Sequence, residues 1–136
     1  MRLLRGTVVI VLSLLAVGCG GSTPTDPEPV YPQKTEVFSG SLELLGKSPF
    51  PFTVENPGSI QVAITSLTPV AAVMGLRLGG WDVTTSVCNS QLETTQATVN
   101  AVFSGTPNAP GQYCVEIFDL GNLQSPSDFT VTLTHY

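Results

Sequence analysis

Phe129-Thr130-Val131-Thr132-Leu133-Thr134 alternates apolar and hydroxyl side chains without a break. Successive side chains of an extended chain point to opposite faces, so this stretch predicts a strand with Phe129, Val131 and Leu133 against a core and three threonines toward water. The same two-residue period recurs upstream. It predicts strands over 37–44 (Phe38, Leu42 and Leu44 on one face), 50–55 (Phe50, Phe52 and Val54 inward) and 59–67, where Ile60, Val62 and Ile64 alternate with Gln61, Ala63 and Thr65. Further strands are expected over 73–78, with Met74, Leu76 and Leu78 in and Arg77 out, over 97–103, and over 112–118. In that last stretch Tyr113, Val115 and Ile117 share one side, and Cys114, Glu116 and Phe118 the other; Phe118 is either an exposed contact or a sign that both faces are covered.

Turn chemistry separates these segments. Gly46-Lys47-Ser48, Asn56-Pro57-Gly58, the 105–111 loop with Pro107 and Pro110, and the 119–128 loop carry the Gly, Pro and Asn that reverse a chain. Gly79-Gly80 is expected to end its strand, and residues 81–93 read as irregular and polar. No segment holds a helical period. The expectation is an all-β fold: an antiparallel, jelly-roll-like β-sandwich of about seven strands, occupying residues 35–136.

The residues before it have a different character. Arg2 and Arg5 precede an apolar run over 7–17, and the run closes on Leu15-Ala16-Val17-Gly18-Cys19. The run is about half of the roughly 20 residues a membrane-spanning helix needs. Basic start, short apolar core and small residues at the cut describe a secretory signal over 1–18, and the closing motif resembles a bacterial lipobox. Cys19 would then carry diacylglycerol through a thioether, placing the protein in the bacterial cell envelope. Gly20, rather than Asp, points to the outer membrane where the host has one. The alternative is ordinary secretion after Ala16-Val17-Gly18, leaving Cys19 as a free thiol. Residues 19–34 form a Pro/Gly/Ser/Thr-rich tether, with prolines at 24, 27, 29 and 32 that hold it extended at about 3.1 Å per residue.

Without the leader, Lys34, Lys47 and Arg77 face ten acidic residues, a net charge of −7. That balance gives no reason to bind nucleic acid and repels anionic lipid, so the membrane partner is met through acyl chains. With Cys19 spent on lipid, Cys88 and Cys114 remain, and an oxidising compartment pairs them; two separate buried thiols are the other reading.

Read in order, Phe38-Ser39-Gly40-Ser41-Leu42, Pro51-Phe52-Thr53-Val54, Gly58 to Ile64, Leu76-Arg77-Leu78, Gly111 to Ile117 and Phe129 to Leu133 resemble the bacterial pre-peptidase C-terminal (PPC-like) domain, a β-sandwich found beside secreted proteases and on other exported proteins. The resemblance implies an accessory, non-catalytic module and carries over no catalytic residue. Where that family often has acidic residues before its Leu-x-Leu strand, Val70-Ala71-Ala72-Val73 stands here, so no calcium role is carried over to that place.

Direct chemistry is sparse. His135 is the one histidine, and its penultimate position is a poor support for a catalytic triad, because chain ends fray. Asp119, Asn122 and Asp128 share a loop but lack the alternate spacing that builds an oxygen cage for calcium, so no metal or other cofactor is expected. Trp81 follows Gly79-Gly80. It either stacks on a sugar or a protein partner, or caps the core or covers the Cys88–Cys114 bridge. The expected function is a non-catalytic, lipid-anchored interaction or structural module with an envelope protein or glycan as partner. The alternative is a carbohydrate-binding module using Trp81. Cys19→Ala should move the protein from the membrane fraction to the soluble fraction; retention in membranes would refute the anchor.

Overall fold

The computed structural model describes residues 30–136. The signal over 1–18, Cys19 and the tether as far as residue 29 lie outside the described residues. Eight strands follow in order: β1 (Lys34–Leu42), β2 (Lys47–Val54), β3 (Ile60–Thr68), β4 (Met74–Asp82), β5 (Val87–Ala97), β6 (Val102–Gly105), β7 (Gly111–Phe118) and β8 (Ser127–His135). They form two antiparallel four-stranded sheets, β1-β8-β3-β6 and β2-β7-β4-β5. Eight strands in that order, facing as two sheets, make a jelly roll. The described domain has no helix, and the all-β expectation stands with eight strands rather than seven.

The core lies between the sheets and is built by the alternation. Ile60, Val62, Ile64, Val131 and Leu133 of one sheet meet Leu76, Leu78, Val115, Ile117 and Val54 of the other, all buried. Phe50 stacks on Phe38 with ring centroids 4.8 Å apart and meets Phe129 edge-on at 5.9 Å, which closes the side near β1. A bulge between Ile64 and Ser66 shifts the period, so Leu67 rather than Ser66 continues the inward row of β3.

Four local expectations are corrected. Leu44 is exposed, because β1 ends at Leu42 and the chain turns through Glu43–Gly46, with the Gly46 N–H donating to the Glu43 carbonyl and Leu45 at φ 55°. The 97–103 segment is not one strand. β5 ends at Ala97, the Ala101 N–H donates to the Thr98 carbonyl, Asn100 adopts φ 67°, and the chain crosses to the other sheet as the short β6. Residues 81–93 are not irregular: Trp81 and Asp82 finish β4, and β5 begins at Val87. The Asp82 carboxylate closes the turn between them by accepting the N–H groups of Thr84 and Thr85. β5 reads as polar because it is an edge strand that gives most of its side chains to water.

The fourth correction concerns Gly79-Gly80, which continues β4 instead of breaking it. A Cβ on Gly79 would run into the backbone carbonyl of Asn89, so glycine is required for the β5 backbone to fold across β4 here. The pairing register shifts at the same place, between Leu78 and Gly79. This crossing brings Cys88 of β5 to within 5.7 Å (Cα to Cα) of Cys114 of β7, although β4 lies between those strands in the sheet. The two cysteines form a disulfide that closes a 26-residue separation. Its sulfurs are buried against backbone, with Cys114 Sγ 3.4 Å from the Gly79 carbonyl oxygen and 3.3 Å from that of Gly80.

A loop of that length is worth about 3.5 kcal/mol through the unfolded chain. Cys88→Ala/Cys114→Ala should therefore lower Tm by more than about 10 °C, read by thermal circular dichroism. An unchanged melting curve would show that the bridge contributes nothing.

Candidate functional site

Charge is divided unequally between the two outer faces of the sandwich. On the β1-β8-β3-β6 sheet, one outward row crosses all four strands: Val37 opposite Thr132, Thr132 opposite Ala63, Ala63 opposite Val102. Val37 is 62 % and Val102 59 % exposed. The next row is Thr35, Thr134, Gln61 and Ser104. On the other side Ser39 meets Thr130, their hydroxyl oxygens 3.0 Å apart. These rows hold no charged side chain; Asp128, opposite Ser41, marks their far end. The threonine face of β8 is thus the centre of a neutral surface of methyl and hydroxyl groups.

The outer face of β2-β7-β4-β5 is built differently. Arg77 lies at its centre, its Nη1 donating to Glu116 at 2.7 Å and its Nε to Glu93 at 2.9 Å. The guanidinium also covers the Phe118 ring, 4.5 Å from its centroid. Glu116, 2 % exposed, is a buried charge that depends on this partner. Gly75 sits under the same ring, where any Cβ would collide with Phe118. Of the two readings of Phe118, the covered one holds, and the cover is a side-chain lattice rather than another element. Trp81 lies on this face at the end of β4, directly opposite Cys88 and half-buried. It is not in the core cluster, so it does not cap the core; its place is beside the bridge.

The end carrying the β1–β2 turn is fastened by Asp119. One carboxylate oxygen accepts the N–H groups of Gly121, Asn122 and Leu123, and the other accepts the Leu45 N–H at 2.9 Å. Burial pushes this carboxyl up, and the backbone N–H groups of Leu45, Leu123, Asn122 and Gly121 outweigh it, holding it below the usual carboxylate range. Asn122 turns its amide to the Thr95 carbonyl, and Asp128 stands apart in β8. The three residues weighed for calcium therefore do not converge, and among the described residues no group of three or more His, Cys, Asp or Glu is placed to hold a metal ion.

At the opposite end, His135 corrects the expectation of a frayed terminus. It is the last residue of β8, paired with Lys34 and 1 % exposed, with Phe52 against its ring at 5.1 Å. Its Nε2 lies 2.9 Å from Glu36 Oε1 and its Nδ1 3.3 Å from the Tyr136 carbonyl oxygen; no hydroxyl nucleophile is among these partners. A cleft of about 300 Å³ opens at the sandwich edge between β5 and β6, floored by Ile60 and Leu78 and walled by Leu92, Pro107 and Tyr113. Tyr113 is the one titratable group lining it, and its hydroxyl donates to the Ala109 carbonyl.

No protein-family profile matches this chain, and no curated protein matches it in sequence.

The depressed Asp119 carboxyl supplies stability above about pH 4, the ordinary unfolded carboxylate range, and loses it as pH falls through the lower folded value. Asp119→Asn puts an NH2 group where an acceptor is needed and should cost about 2–3 kcal/mol at neutral pH. The penalty should shrink toward pH 2, in urea denaturation followed against pH. A cost that stays constant with pH would refute the capping role.

Proposed function

We propose that this chain is a non-catalytic envelope lipoprotein. In this reading an acylated Cys19 is held in the bacterial membrane, the outer one where the host has two, and the proline-rich tether carries a PPC-like sandwich out as an interaction module. Its partner is an envelope protein that meets the β1-β8-β3-β6 face.

The observation that carries this reading is the neutral row Val37–Thr132–Ala63–Val102, in a mature chain whose net charge is −7. A face that serves only to keep the domain soluble would share the charge; this one leaves two valines and a threonine ladder bare. Depletion of charge at the centre is the mark of protein contact surfaces. Neutrality also suits a partner met across a strongly acidic background, since no like charges need be desolvated. The tether enters at the Lys34 end of β1, and the face runs along the strands away from that end. The second reading, glycan binding, is favoured by Trp81 alone, half-exposed at the sheet end.

Cross-linking and capture from the native envelope separates the two. Thr132→Arg places an unpaired guanidinium in the middle of the neutral face at little cost to the fold, and should lower partner recovery about tenfold or more. Trp81→Ala should leave recovery unchanged. Loss in Trp81→Ala, with competition by soluble glycan, would favour the carbohydrate reading, and recovery unaffected by Thr132→Arg would refute the assignment of the face.

A further inference from the structure

We infer that His135 and Glu36 form a pH-dependent latch on the end of the domain where β1 begins. Both ring nitrogens face oxygen acceptors: Nε2 the Glu36 carboxylate at 2.9 Å, Nδ1 the Tyr136 carbonyl oxygen at 3.3 Å. A neutral imidazole has one N–H, so one of these contacts would set a lone pair against an oxygen. Only the imidazolium, with two N–H groups, satisfies both. The ring is buried, so no water can rotate in to repair the mismatch.

The surrounding charges agree. Lys34 and Glu36 face this corner from β1, and Glu55 faces it from the end of β2, with Lys34 Nζ 2.6 Å from its carboxylate. Tyr136 is the other titratable neighbour, and its hydroxyl accepts from Gln33 Nε2 at 2.8 Å. Carboxylates outnumber the one ammonium at this corner, so deprotonation of the ring leaves uncompensated negative charge there. The Glu55 carboxyl is held down by its hydrogen bond from Lys34 and by the Lys34 charge, with a smaller contribution from His135.

The latch closes what the tether enters. The Tyr136 carbonyl that meets Nδ1 also accepts the Glu55 N–H at 3.1 Å, and Gln33 and Lys34 are the first residues to bond back to the domain. Losing the proton therefore loosens the start of β1, the end of β8 and the Glu55 turn together, while the core stays packed. The direction follows from the count of N–H groups: the ring with two satisfies both acceptors and tightens this corner, and the ring with one loosens it.

The test is amide hydrogen exchange on the full chain at about pH 5 and about pH 8, corrected for intrinsic rates, with Ile64 and Val115 as core references. Protection at the Glu55 amide should fall about tenfold relative to the references as pH rises, the loss of one charge-assisted hydrogen bond. His135→Gln should abolish the pH dependence, and Glu36→Gln, a substitution at the half-exposed partner, should reduce it. Protection that rises with pH would overturn the latch. So would an identical profile in Glu36→Gln, or, where it folds, in His135→Gln.

Discussion

Every strand of this domain has to give alternate side chains to one interior, and the remainder of the structure follows from meeting that demand with two sheets. A register slip by one residue would exchange Ile60, Val62 and Ile64 for Gln61, Ala63 and Thr65, placing an amide and a hydroxyl in the core and three large aliphatics in water. The jelly-roll order adds a second demand. β1 pairs with β8 and β2 with β7, so neither sheet closes until distant parts of the chain meet. The interior registers the join: Phe38, Phe50 and Phe129 come from β1, β2 and β8 and pack as one group.

The disulfide belongs to the same problem. Strands β5 and β7 are not neighbours, yet Cys88 and Cys114 meet because β5 folds across Gly79. The bridge therefore fastens the edge of one sheet to its centre at the place where ladder pairing is irregular. On the same face, Arg77 does for Glu116 and Phe118 what a covering helix would do in a layered fold. A single guanidinium satisfies two carboxylates and shields an aromatic ring. These contacts bury Phe118 and Glu116 without any further element.

Much of this architecture was legible because alternation is a local signal. The inward rows of β3, β4 and β8 and the outward Arg77 could be read from period two alone. Residues 81–93 could not, because β5 exposes most of its side chains and its register with β4 shifts twice, with Gln91 in a bulge, so its few buried residues keep no period of two. Gly79-Gly80 looked like a stop because glycine weakens strands in general. Here its missing Cβ admits another backbone, a fact visible only in three dimensions. The cysteine pair was inferred from compartment and count, whereas its geometry rests on that same crossing. The site was less legible than the fold. Val37 is unremarkable in its own strand and acquires meaning only when pairing sets it in line with Thr132, Ala63 and Val102. Likewise His135 and Glu36 are 99 residues apart, and nothing local announces their contact.

The treatment of the sheet edges bears on how such a module can be met. An unpaired strand invites another strand, and each edge here is made unsuitable for that. β2 carries Pro49 and Pro51, which lack ladder donors. β5 is interrupted twice by register shifts, and β6 has only four residues. β1 begins with Lys34, in an ion pair with Glu55, and Glu36, whose carboxylate meets His135. Edge-to-edge growth is thus opposed on all four sides, while the face through Thr132 carries no such protection. Under the proposed interaction role, a molecule that blocks its edges and leaves one broad face neutral would be met face-on, through side chains rather than backbone. In that proposal, selection of a partner would fall to the shape of the Val37–Val102 row, not to the generic pairing that any exposed strand would offer.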